Sequence, residues 1–241
     1  MKIESINNPK VKDWVKLKEK KYRDLNNKFI IEGDHLLKEA LKKDLVLEVI
    51  AIDTKWEIDN IPFYEVNESI MKKISSQVSY SEVIAICKKQ ESKEIIGKVC
   101  ILDNIQDPGN LGTIIRSAVA FNIDTIIMSN DTVDLYNEKV IRASEGMLFS
   151  LNYIRGNLEK IIDELKVLNY KIYGTDVING ISLKEVIFDN KSAIIIGNEG
   201  KGMNENLRPL CSNLINIPIS NNCESLNAGV AASIIFYKME N

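Results

Sequence analysis

The sequence predicts an α/β protein whose C-terminal part is built on a parallel sheet. Three observations predict it. After residue 98 the short apolar runs "VCILD", "DTIIMS", "YKIYGT", "SAIIIG" and "NLINIP" recur, the pattern of strands covered on both faces. Helical stretches separate most of them, at about 110–121, 137–144, 157–169 and 204–210, which argues for right-handed crossovers. The chain of 241 residues is 45% hydrophobic and 27% charged, enough apolar material for a sizeable core.

The elements before that region form a smaller α/β unit. A basic helix over about 8–24 precedes a strand at "FIIEG", then a helix over 34–43. Strands follow at "VLEVIAI" and "PFYEV", a short helix at 67–75, and a strand at "VIAIC". The polar stretch "KKQESKEIIGK" reads as a linker. The expected organisation is therefore an N-terminal domain over 1–88, a linker over 89–97 and a second domain over 98–241. The last helix carries Ala228, Ala231, Ala232, Ile235 and Met239 at three- and four-residue steps. Its entrance holds Asn221, Asn222, Glu224, Ser225 and Asn227, more polarity than one helix cap requires.

Composition narrows the function classes. Scattered Cys87, Cys100, Cys211 and Cys223 form no C-x-x-C pair, so reduced thiols and no structural zinc are expected. His35 is the single histidine, which weighs against His-based metal catalysis; its place in "EGDHLLKEA" suits a structural or substrate-surface role. No apolar run reaches the roughly 20 residues of a membrane helix. The N-terminus lacks a signal-peptide core, so a cytoplasmic location is expected. Net charge is −3, unevenly spread: residues 1–43 hold twelve Lys/Arg against seven Asp/Glu, the remainder nineteen against twenty-seven. A local +5 that includes Lys18, Lys20, Lys21 and Arg23 suits a polyanion such as RNA, or an ordinary solvated helix.

Three segments lie at the C-terminal ends of predicted strands, the edge where open α/β sheets bind ligands. "LDNIQDPGNLGTIIRSA" turns at Pro108 and Gly109, offers Asn110 as a helix cap and places Arg116 two turns along. It lacks the G-x-G-x-x-G spacing of a dinucleotide fold, although Asp131 downstream leaves a nicotinamide-dependent oxidoreductase as a rival reading. "IIIGNEGKGM" sets Gly197, Gly200 and Gly202 around Asn198 and Glu199, either a flexible turn or a close approach to ligand. The third is "IPISNNCESLNAGVAASI", where Ser225 and Asn227 start the last helix. With twenty-five asparagines, any single Asn carries little weight, whereas Arg is scarce at five.

Taken together, "DPGNLGTIIRSA", "IGNEGKGM" and "IPISNNCESLNAGVAASI", in this order and spacing, resemble the three motifs of the SpoU (TrmH-like) branch of the SPOUT RNA methyltransferases. "NPKVKDWVKLKEKKYR" and "FIIEGDHLLKEAL" are similar to that family's substrate-binding domain. The resemblance implies a catalytic domain tied in a trefoil knot, S-adenosylmethionine as cofactor, a ribose 2′-hydroxyl of structured RNA as acceptor, and a homodimer. Ribosomal RNA is preferred over transfer RNA on the likeness of the first domain; a non-catalytic RNA-binding protein on the same scaffold is the alternative. Carried onto this chain, the resemblance implies catalytic roles for Arg116, Asn110, Glu199, Ser225 and Asn227. Gly174, Thr175, Gly197, Asn198, Gly200, Ile217, Ser225, Leu226 and Asn227 would surround the cofactor. Arg142, with Lys18, Lys20, Lys21, Arg23 and His35, would face RNA. Asn221 departs from the glycine many members carry, but Asn also tolerates left-handed backbone.

Overall fold

The computed structural model describes residues 1–77, 79–91, 94–177 and 179–241. Residues 92 and 93 of the expected linker lie outside the described residues. The chain divides into two compact units, one of Met1–Glu91 with Asp134–Phe149 and one of Ser92–Val133 with Ser150–Asn241. The excursion 134–149, expected in the second domain, thus belongs to the first unit.

The first unit is a five-stranded mixed sheet. Its strands are β1 (Lys2–Ile3), β2 (Lys28–Glu32), β3 (Val46–Ala51), β4 (Phe63–Val66) and β5 (Val83–Lys88), in the order β1-β4-β3-β5-β2. β5 runs antiparallel to both β2 and β3, and its "VIAIC" is buried along its whole length. The helix expected over 8–24 is two helices, α1 (Pro9–Lys16) and α2 (Lys20–Asn26). Asn8 caps α1 by accepting the Lys10 N–H, and Pro9 fills the first turn, where no N–H is needed. The break has a visible cause. Leu17 turns into the core, Glu19 is extended, and the freed carbonyls of Leu17 and Lys18 accept from Arg23 Nη1 at 2.9 and 2.6 Å. α3 (Asp34–Leu41) and α4 (Glu68–Ile74) complete the N-terminal part.

Segment 134–149 joins this unit through a buried ion pair and an aromatic cluster. Arg23 Nη2 lies 2.6 Å from Asp134 Oδ2. Phe29, wholly buried, has Tyr136 at 4.6 Å and Phe149 at 6.0 Å between ring centroids. Between those contacts runs a short helix over Glu138–Ala143.

The second unit holds β6 (Val99–Leu102), β7 (Thr125–Ser129), β8 (Tyr153–Gly156), β9 (Lys171–Thr175), β10 (Ile181–Ser182), β11 (Ser192–Ile196) and β12 (Asn213–Asn216). All pair in parallel, in the order β10-β12-β9-β11-β6-β7-β8. β6 and β11 are fully buried, as strands covered on both faces must be. β8 and β10 were not expected from the sequence. Register aligns Leu102 with Ile196, and Ile215 with Thr175. The loops after β6, β9, β11 and β12 therefore leave from one edge. An α-helix over Pro108–Ala120 follows β6, and one over Ala228–Glu240 ends the chain. The two pack together: Ser117 and Ser233 hydroxyls lie 2.6 Å apart, and Phe121 meets Tyr237 edge to face.

Phe29→Ala should destabilise the first unit by about 3–5 kcal/mol, the usual cost of emptying a buried aromatic site. Urea denaturation checks it; an unchanged midpoint would contradict the placement of Tyr136 and Phe149 against that ring.

Candidate active site

The three segments singled out in the sequence meet at one edge of the second sheet, joined by the carboxylate of Glu199. It accepts hydrogen bonds from the backbone N–H of Gln106 (3.2 Å) and Asp107 (3.1 Å) and from Asn110 Nδ2 (3.0 Å). Asn110 Oδ1 in turn accepts from Asn227 Nδ2 at 2.8 Å. The first segment is thus tied to the second by Glu199 and to the third by Asn227.

Each partner is fixed from below. Asp107, not Asn110, caps its helix by accepting the Asn110 N–H at 2.8 Å, which frees the Asn110 amide to point outward. Asn227, not Ser225, caps the final helix: its Oδ1 accepts from Gly229 and Val230 N–H while its Nδ2 reaches Asn110. Asn198 Oδ1 accepts from Gly200 and Lys201 N–H, and its Nδ2 donates to Asn104 O at 2.7 Å. Gly197 is glycine for a steric reason. A Cβ there would stand 2.2 Å from Met203 N, because Asn198 and Gly202 exchange backbone hydrogen bonds across the loop.

Burial pushes the Glu199 carboxyl up, but its hydrogen bonds outweigh that. The Asn110 amide and the backbone N–H groups of Glu199, Asp107 and Gln106 hold it below the usual carboxylate range. It is an anionic acceptor already engaged by donors, not a poised acid or base.

A cavity of about 410 Å³ opens beside this junction. Thr175, Gly197, Asn198, Gly200, Ile217, Ser225 and Leu226 line it, together with Glu199. Gly174, expected with them, is absent from the lining. Its missing Cβ faces Met203, Cys211 and Leu214 within 3 Å, so it serves packing. Asn227 too is absent from the lining and acts through Asn110. Asn221 keeps a negative φ, and its turn closes by Cys223 N–H donating to Ser220 O. The sequence reading missed three contributors. Asp103 follows β6 and accepts the Asn204 N–H at 2.6 Å, which anchors the glycine loop's far end. Asp176 and Arg208 line the cavity as an ion pair, and only their convergence across two loops reveals them.

The arginine expected to act with these residues, Arg116, is exposed on its helix. Its guanidinium has no hydrogen-bond or ion-pair partner among the described residues. In the first unit Arg142 is likewise unpaired among the described residues, and Lys20 and Lys21 are exposed. Lys18 is exposed but donates to Lys73 O and Ser75 O. His35 Nε2 lies 3.2 Å from Glu145 O. Arg23 requires a correction: it is buried, and four of its five N–H donors are spent on Asp134, Leu17 O and Lys18 O, so it serves packing rather than an RNA-facing surface.

Residues 97–237 match the profile of the SpoU rRNA Methylase family, and residues 8–85 match an MRM3-like substrate binding domain. The chain belongs to the SpoU rRNA methylase family. It is 37% identical over 98% of both chains to the 23S rRNA (guanosine(2553)-2′-O)-methyltransferase RlmP of Bacillus subtilis. An AdoMet-bound rRNA methyltransferase from Sinorhizobium meliloti superposes with a TM-score of 0.89 at 25% identity, over 99% of this chain and 97% of that one. An RNA 2′-O ribose methyltransferase superposes at 0.84 with 26% identity, over 99% and 98%. The junction of Asn110, Glu199 and Asn227 lies within the stretch that matches the family and joins its three candidate segments.

The depressed Glu199 pKa fixes the sign of a pH effect. Its stabilisation is complete above the unfolded glutamate value, near pH 4.3, and is lost as pH falls through the lower folded value. Hydrogen-exchange protection of the Gln106 and Asp107 amides, corrected for intrinsic rates, should hold from pH 7 to about 5 and fall below about 4. Glu199→Gln should abolish that step and lower protection at pH 7; a step that survives the substitution would contradict the assignment.

Proposed function

We propose that the chain transfers a methyl group from S-adenosylmethionine to the 2′-hydroxyl of a guanosine ribose in 23S ribosomal RNA. The observation that carries this is the Glu199–Asn110–Asn227 junction at the rim of the 410 Å³ cavity. Such a volume lies within the roughly 300–1,000 Å³ of small-molecule sites. Its lining fits the cofactor. Apolar Ile217 and Leu226 suit an adenine ring, glycines at 197 and 200 allow close backbone approach, and the Glu199 carboxylate favours a cation nearby. Bound there, the sulfonium supplies the electrophilic methyl group.

What remains for the protein is to orient the acceptor hydroxyl and accommodate its lost proton. Glu199 is a poor base, since its oxygens accept from Gln106, Asp107 and Asn110 and its pKa is held down. Arg116 cannot accept a proton either, because a guanidinium presents donors and no acceptor. Its unpaired fork is suited to hold the ribose or the adjacent phosphate and to stabilise developing alkoxide charge. The proton then leaves to water or a phosphate oxygen. Arg142, Lys18, Lys20, Lys21 and the exposed His35 are proposed RNA contacts of the substrate-binding unit, with phosphate charge supplying salt-dependent affinity.

The last helix supports a homodimer. Val230, Ile234 and Tyr237, four and then three residues apart, make an exposed apolar stripe along it. The strand order also supports a knotted chain. β12 lies beyond β9, yet the helix that follows it returns to pack on the helix after β6, across β9 and β11. A cytoplasmic site of action accords with a ribosomal RNA substrate, and no helix among the described residues is long and apolar enough to cross a membrane.

Purified protein given labelled S-adenosylmethionine and unmethylated ribosomal or transfer RNA should label 23S RNA at one ribose. Label confined to transfer RNA, or none, overturns the proposal. Arg116→Lys keeps the charge but loses the planar fork, and turnover should fall about 100-fold, the scale of one lost transition-state donor. Near-normal turnover would remove the guanidinium from the mechanism. Tyr237→Glu should shift the protein to monomer in sedimentation; an unchanged species rejects the stripe as the interface.

A further inference from the structure

We propose that Arg155 is a positioning residue for methyl transfer, fixing the loop on which the first motif rests. The proposal depends on the methyltransferase reading above. Arg155 stands on β8, outside the three motifs, with its side chain directed to the loop after β7. Its Nη1 reaches the carbonyl oxygens of Ser129 (3.0 Å), Asn130 (3.2 Å) and Thr132 (2.6 Å), and its Nη2 reaches Val133 O at 2.8 Å. A guanidinium presents five N–H donors in a rigid plane, so one side chain can hold four carbonyls of a turn in a single arrangement.

That turn is the seat of the motif loop 104–107. Asn104 N–H donates to Ser129 Oγ at 3.0 Å, Val133 N–H donates to Ile105 O at 2.9 Å, and Gln106 Nε2 donates to Asp131 O at 2.5 Å. Asn104 has a φ of 57°, a left-handed conformation that these contacts stabilise. From the loop so held, the N–H groups of Gln106 and Asp107 point at Glu199, which carries Asn110. Arg155 is not among the residues that line the cavity. It acts on the site through two layers of hydrogen bonds, and none of its carbonyl partners is replaceable by mutation of a side chain.

The test compares Arg155→Ala and Arg155→Lys with the wild type in labelled-methyl transfer to 23S RNA. Arg155→Ala should lower kcat on the order of 100-fold, the cost of displacing a site by about 1 Å, with the Kd for S-adenosylmethionine changed less than about threefold. Arg155→Lys, which keeps the charge and reaches fewer carbonyls, should recover part of that loss. Hydrogen exchange gives a readout independent of turnover. The Gln106 and Asp107 amides should lose protection in Arg155→Ala while the β6 and β11 amides keep theirs. Wild-type kcat in Arg155→Ala, or loss of protection spread evenly over the sheet, overturns the proposal. Should Arg155→Ala fail to fold, Gln106→Leu, which cuts the link to Asp131, must lower kcat with folding retained; wild-type turnover in that variant also overturns it. A wild-type protein that methylates no RNA defeats the functional reading instead, and the exchange result still decides the role of Arg155.

Discussion

Glu199 accepts hydrogen bonds from Gln106, Asp107 and Asn110, about ninety residues earlier in the chain. The rest of the site depends on that convergence. Three N–H donors around one carboxylate would repel each other without it, and a carboxylate without them would pay to leave water. Together they fix the position of the Asn110 amide, and Asn110 fixes Asn227 at the start of the last helix. One anion therefore sets the relative placement of a strand-end loop, a glycine loop and a helix N-terminus. The parallel sheet makes this possible by delivering all their strand ends to a single edge.

The five arginines divide by what the fold asks of them. Arg23 holds together a helix break and Asp134, Arg155 gathers four carbonyls, and Arg208 pairs with Asp176 and Glu205. Each is consumed internally. Arg116 and Arg142 are left with unpaired guanidinium groups among the described residues, one in each compact unit. In a chain where lysine supplies most of the positive charge, these two planar groups, whose geometry matches a phosphate, keep their donors unengaged, which underlies their proposed role toward RNA.

Much of this was legible in the residues. The buried strands announced themselves as continuous apolar runs, and of the polar crowd before the last helix Ser225 lines the cavity and Asn227 reaches Asn110. Local signals failed where tertiary contacts decide. "YIRG" carries too few apolar residues to read as a strand, yet β8 pairs along β7 and delivers Arg155. The break at Leu17–Glu19 is invisible to helical periodicity, because its reward comes from Arg23 and from the burial of Leu17. Arg23 itself looked like part of a basic surface, since sequence shows charge but not the distant Asp134 that neutralises it. The helix after β6 is capped by Asp107, three residues before Asn110, and the last by Asn227, two residues after Ser225, because any of these short polar side chains can cap and only the backbone path selects one.

The central claim is that Glu199 and Asn227, which do not touch, act as one unit through Asn110. A double-mutant cycle on turnover, using Glu199→Gln, Asn227→Ala and the pair, measures it most directly. The account predicts a coupling energy of about 0.5–3 kcal/mol, because the first substitution already releases the amide that the second would lose. Strictly additive losses would mean the three loops assemble independently and would contradict the account.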